Sequence, residues 1–147
     1  MRIGRLLSNR HPLIYGGVEK ARAFSYTEES TEAIANASLF EEARNQIINV
    51  GGPETVTIND TCSTALRIKT SERPPEHVAS RPQELPVGYS TTEKSEGLLD
   101  HRNTHTLDGG VFEMILWAKE IGAQELTFKI PLEITTSAPE VWFKNTM

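Results

Sequence analysis

Residues 109–134, GGVFEMILWAKEIGAQELTFKIPLEI, form the one long run of dense, periodic apolar residues in the chain. In its second half Leu126, Phe128, Ile130, Leu132 and Ile134 alternate with Thr127, Lys129, Pro131 and Glu133. A period of two gives a strand with one apolar and one wet face. Burying five such side chains contributes roughly 8–15 kcal/mol. Fixing nine backbones costs about 9–18 kcal/mol, so the strand needs an apolar cover. Pro131 lacks an N–H and marks an edge or a bulge.

The first half, Val111 to Ile121, is rich in good helix formers, with Asp108 as a candidate cap and Gly122 as a candidate terminator. Phe112, Met114, Leu116 and Ala118 also alternate, which would suit a strand. The helix is the preferred reading, because it would cover the following strand.

The rest of the chain is more polar. At 147 residues it suits one domain, but 37% apolar residues imply a modest core. A net charge of −5 argues against nucleic acid as a partner, and no apolar run is long enough for a membrane span. A single cysteine, Cys62, excludes an internal disulfide; it reads as a small buried side chain in a strand or turn.

Residues 1–26 read as a basic N-terminal arm: Arg2, Arg5, Arg10, Lys20 and Arg22 stand against Glu19 alone. Residues 28–48 read as a surface helix, with early acids at its positive end and Ala35, Leu39, Ala43 and Ile47 as a narrow stripe. Short strands are expected at 55–59 and 64–70, joined by the turn residues Asn59-Asp60-Thr61. Residues 71–108 carry Pro74, Pro75, Pro82 and Pro86 and few apolar side chains. Such a stretch cannot order itself by burial and needs its own body or neighbouring subunits to hold it. Val141, Trp142 and Phe143 suggest a last strand at 140–144.

Little in the chain signals catalysis. The densest polar cluster runs from Asp100 through His101 and His105 to Asp108. Two histidines four apart would share a metal on a helix, but Asn103, Thr104 and Thr106 favour a solvated loop. His11 and His77 read as loop histidines. The glycine pairs at 16–17, 51–52 and 109–110 lack the following residues of a phosphate or dinucleotide loop and read as punctuation. Glu-Glu pairs read as solvated faces, and Trp117 and Trp142 as core.

These features predict a β-rich α+β domain over 27–147, an antiparallel sheet or sandwich with one or two packed helices and long arms and loops. They predict a non-enzymatic assembly subunit of virion type, such as a capsid, decoration or tail protein, without cofactor, catalytic residues or metal. It would self-associate or meet neighbouring subunits through the arm, the 71–108 loop and the C-terminal tail, in a virion or a cytoplasmic assembly and not in a membrane. The alternative is a small metal-dependent or acid–base hydrolase built on residues 100–108.

Overall fold

The computed structural model describes residues 3–81 and 83–123. Helices dominate. The order is α1 (Ile3–Leu7), β1 (Leu13–Tyr15), β2 (Ala21–Ala23), α2 (Thr27–Asn36), β3 (Thr55–Thr57), α3 (Ile58–Lys69), β4 (Glu76–Val78), β5 (Val87–Gly88), α4 (Glu93–Leu99) and α5 (Leu107–Ile121), with a 3₁₀ turn at Glu41–Ala43. The β-rich antiparallel reading is therefore incorrect. The strands are two or three residues long and make two small sheets. In one, β1 runs parallel to β4, with Ile14 opposite His77. In the other, β2 lies between antiparallel β3 and parallel β5. The expected strands at 125–134 and 140–144 lie outside the described residues.

The strand expected at 64–70 is the second half of α3. Thr57 caps this helix: its Oγ1 accepts from the Asp60 N–H at 2.9 Å and donates to the Asp60 carboxylate at 2.6 Å. Residues 59–61, expected as a turn, form the first helical turn. Thr70, at φ 55°, closes the helix. Cys62 is fully buried, on the same face as Ala65. The alternation of Leu66 and Ile68 suggested a strand, but the cap four residues before Thr61 and the i, i+3, i+4 placement of Cys62, Ala65 and Leu66 are helical signals.

The helix expected at 111–121 is present and starts earlier. Thr106, not Asp108, accepts from the Gly109 N–H and caps it, and Gly122 ends it at φ 84°. Val111 and Ile115 pack with Leu6 and Ala65, and Ile3, Leu66, Ile68 and Leu107 border them. A second cluster joins Ala33, Ala43 and Leu99. The surface helix expected at 28–48 ends at Asn36, and its proposed stripe is broken: Leu39 is 74% and Ile47 89% exposed. Trp117, expected in the core, is 62% exposed.

Residues 3–26, expected as an outlying arm, lie within the body: Leu6, Pro12 and Ile14 are buried. The stretch 71–108, expected as one structureless connection, contains β4, β5 and α4 and the first residues of α5. No helix among the described residues is long and apolar enough to cross a membrane.

The orientation of α5 sets a stability test. Ile115→Ala is expected to lower unfolding stability by roughly 2–5 kcal/mol, whereas Phe112→Ala, at a half-exposed site, should cost less than about 1 kcal/mol. Urea titrations of both variants check the difference, and equal losses would contradict the placement of the helix.

Candidate functional site

Two polar constellations are built from residues distant in sequence. The first surrounds Glu84, in the connection between β4 and β5. Lys20, at the entry to β2, is only 5% exposed, and its Nζ donates to Glu84 Oε2 at 2.7 Å. Gly16 makes room for it. A Cβ there would lie 2.6 Å from Lys20 Cε and 2.5 Å from Ser80 Oγ, and the residue has φ 86°. Only glycine adopts that conformation without strain.

Arg22, on β2, lies 3.6 Å from the other Glu84 oxygen. Its guanidinium also donates to the carbonyls of Ala21, Leu85 and Pro86 at 2.7–3.0 Å, which fixes its plane. Arg81 stacks on Tyr15 of β1, its Cζ 4.2 Å from the ring centroid. The hydrogen bond from Lys20 holds the Glu84 carboxyl below the usual carboxylate range; burial opposes this, and the charges of Lys20, Arg81 and Arg22 assist it. Glu84 therefore stays anionic and organises cations. Three cations around one carboxylate leave an excess of positive charge, in a chain whose net charge is −5. Such a cluster attracts an anion with several oxygens, which arginine binds in bidentate fashion. Leu85, Val87 and Tyr89 alternate in sequence and are 69%, 48% and 74% exposed. Arg22 pairs with Gly88 and lies over its face, whereas Val87 pairs with Ala21 on the other face of the sheet.

The second constellation contains the predicted polar loop. Glu29 of α2 is buried, unlike its neighbour Glu28. This corrects the reading of the Glu-Glu pairs as solvated. Its Oε1 accepts from the Thr104 N–H and hydroxyl, the His105 N–H and the His105 ring at Nδ1. Burial works against the carboxylate, but the His105 ring, the two N–H groups and the hydroxyl outweigh it and bring its pKa from 4.5 to about 2. The His105 ring stacks on Tyr26, with centroids 4.0 Å apart.

His101 is turned elsewhere. Ser95 Oγ donates its single hydrogen to the Thr92 carbonyl at 2.8 Å, so it accepts from His101 Nδ1 at 3.1 Å. His101 and His105 thus serve different partners. Among the described residues no group of three or more His, Cys, Asp or Glu is placed to hold a metal ion. Asp100 pairs with Arg102, and Asp108 with Arg67 and Thr64. His77 lies on β4 with Nδ1 3.2 Å from the Gly16 carbonyl, and His11 Nδ1 lies 2.8 Å from that of Pro74.

No family model matches the chain. No curated protein matches it. Solved structures do. A UDP-glucuronic acid 4-epimerase from Bacillus cereus, solved with UDP-glucuronic acid and NAD, is 22% identical with a TM-score of 0.77, over 82% of this chain and 38% of that one. A UDP-glucose 4-epimerase from Thermotoga maritima, solved with UDP-glucose, is 18% identical with a TM-score of 0.75, over 80% and 38%. A dTDP-glucose 4,6-dehydratase from Bacillus anthracis, in complex with NAD, is 16% identical with a TM-score of 0.71, over 80% and 37%. At these identities the likeness shows the fold: an α/β architecture shared with part of the epimerase and dehydratase structures. The chain spans less than two-fifths of their length. The expectation of a non-enzymatic virion subunit is overturned, since the matching proteins are sugar-nucleotide epimerases and dehydratases, which are enzymes. The hydrolase alternative falls with it, because residues 100–108 are committed to Glu29, Ser95 and helix capping.

The residues described here do not fit NAD. A dinucleotide cradle needs a strand, a glycine-rich turn and a helix N-terminus in succession. Gly16–Gly17 follow β1 but lead into β2, Gly51–Gly52 precede β3, and Gly109–Gly110 lie inside α5.

Sequence reasoning missed both constellations. Glu29 lies 75 residues from Thr104, and Lys20 lies 64 from Glu84. Nothing local in the sequence pairs Lys20 or Arg22 with Glu84.

Glu29 links stability to pH. Its folded pKa lies below its unfolded one, so its contribution is present above about pH 4.5 and is lost as pH falls towards 2. The displacement corresponds to roughly 3 kcal/mol. In Glu29→Gln the stability at pH 7 should fall by up to about that amount, and the slope between pH 4.5 and 2 should flatten. Chemical denaturation at a series of pH values measures both.

Proposed function

We propose that these residues form the part of a sugar-nucleotide enzyme that holds the nucleotide-linked substrate, in an enzyme of the epimerase or dehydratase class. The observation that carries this is the convergence of Lys20, Arg22 and Arg81 on Glu84. A diphosphate supplies the clustered anionic oxygens that such cations bind. Three carbonyls hold the Arg22 guanidinium before any ligand arrives, so its charge is fixed in place. The proteins of similar fold were solved with UDP-glucuronic acid or UDP-glucose, which supports that class of ligand.

On this reading the 147 residues bind and orient the substrate through its diphosphate. Glu84 holds the cations in register and, kept anionic by Lys20, does not act as the acid or base.

Isothermal titration of UDP into the chain tests the proposal. UDP should bind, uridine should bind much more weakly, and affinity should fall with salt. Arg22→Ala and Arg81→Ala should each weaken UDP binding by about tenfold or more, because each removes a charge-assisted contact of roughly 1.5–3 kcal/mol. Equal affinities for UDP and uridine, or variants that bind like the parent, would remove the basis for the site.

A further inference from the structure

We infer that Tyr15 is a positioning residue for Arg81, and that Arg81 is the cation of the Glu84 cluster whose donors are open to a ligand. The inference rests on the reading of that cluster as a diphosphate site. The three cations are not equivalent. Lys20 is 5% exposed and its Nζ is committed to Glu84. Both terminal nitrogens of Arg22 already donate, one to the carbonyls of Ala21 and Pro86 and the other to that of Leu85. A guanidinium has five N–H donors, so most of those on Arg22 are taken. Arg81 makes no hydrogen bond or ion pair among the described residues; it is held by the Tyr15 ring, its Cζ 4.2 Å from the centroid.

Two strands build this contact. In Leu13-Ile14-Tyr15 the middle side chain is buried, so Tyr15 projects from the opposite side of β1. Tyr15 is paired with Val78 of β4, and the Gly16 N–H donates to the Val78 carbonyl at 2.8 Å. Arg81 follows shortly after Val78, so the end of β4 brings it to the ring. An aromatic ring holds a guanidinium through its π-face and takes the place of no acceptor oxygen. The N–H donors therefore stay available for phosphate oxygens, and the side chain is ordered before they arrive. An arginine without such support must be ordered by the ligand itself, at a cost in affinity of about two- to tenfold.

The test is a double-mutant cycle on the full chain, read by isothermal titration of UDP. Tyr15→Leu should weaken binding about two- to tenfold, whereas Tyr15→Phe, which keeps a ring, should stay within about twofold of the parent. In the Arg81→Ala background Tyr15→Leu should have no further effect. A role of Tyr15 in packing alone would lower affinity in both backgrounds. NMR gives a readout that needs no variant. The ring current of Tyr15 should move the Arg81 Hδ resonances of the free parent chain upfield of their free-peptide positions, and Tyr15→Leu should return them. The inference fails, with the diphosphate reading intact, if Arg81→Ala weakens UDP binding while Tyr15→Leu matches the parent or acts equally in both backgrounds. It also fails if the Arg81 Hδ resonances of the parent lie at free-peptide positions, an outcome that decides even where Tyr15→Leu does not fold. A parent chain that does not bind UDP removes the diphosphate reading, and the inference with it.

Discussion

A buried ammonium group without a counter-charge is too costly to keep, and Lys20 meets that constraint through one carboxylate, Glu84. The pair ties the entry of β2 to the connection between β4 and β5, segments that are 64 residues apart. Once Glu84 is held there, Arg22 and Arg81 fall within its field, and the carbonyls of Leu85 and Pro86 orient the Arg22 guanidinium. The positive site is thus a consequence of satisfying a buried charge. It lies against the overall acidity of the chain, which shows why net charge describes solubility and long-range steering better than it describes a local site.

The scarcity of apolar side chains is offset by polar contacts within the same chain. Arg22 anchors the proline-bearing stretch through its carbonyls, the Glu76 N–H donates to the Pro12 carbonyl, and Arg73 Nε donates to Asn9 Oδ1. Glu29 does the same for residues 104–105. A buried carboxylate that accepts several hydrogen bonds is stabilised in its charged form and fixes the groups that surround it. The two apolar clusters, one around Ile115 and Leu6, the other around Ala33 and Leu99, are small, and these ionic and hydrogen-bonded ties connect the segments between them.

Much of the local structure was legible. The composition and spacing of 111–121 indicated a helix, and Gly122 is its terminator. Cys62 is the buried small side chain it was expected to be. The failure at 58–69 is instructive. Alternation over a few residues competed with a Thr57-x-x-Asp60 cap, and the cap was the stronger signal, because it satisfies a backbone N–H at the helix start. At 28–48, alanine spacing outweighed the absence of any apolar partner for Leu39 and Ile47, both of which face water.

Sequence alone determined what depends on neighbours three or four residues away: the course of α5, the turn at Gly122, the single thiol without a partner and the absence of a long apolar helix among the described residues. Only the tertiary structure decided which side chains meet. The parallel pairing of β1 with β4, the burial of Glu29 beneath Thr104 and His105, and the pairing of Lys20 and Arg22 with Glu84 all join residues 62 or more positions apart. Periodicity and capping act within a turn or two of backbone, whereas charge pairing and burial depend on how the whole chain closes on itself.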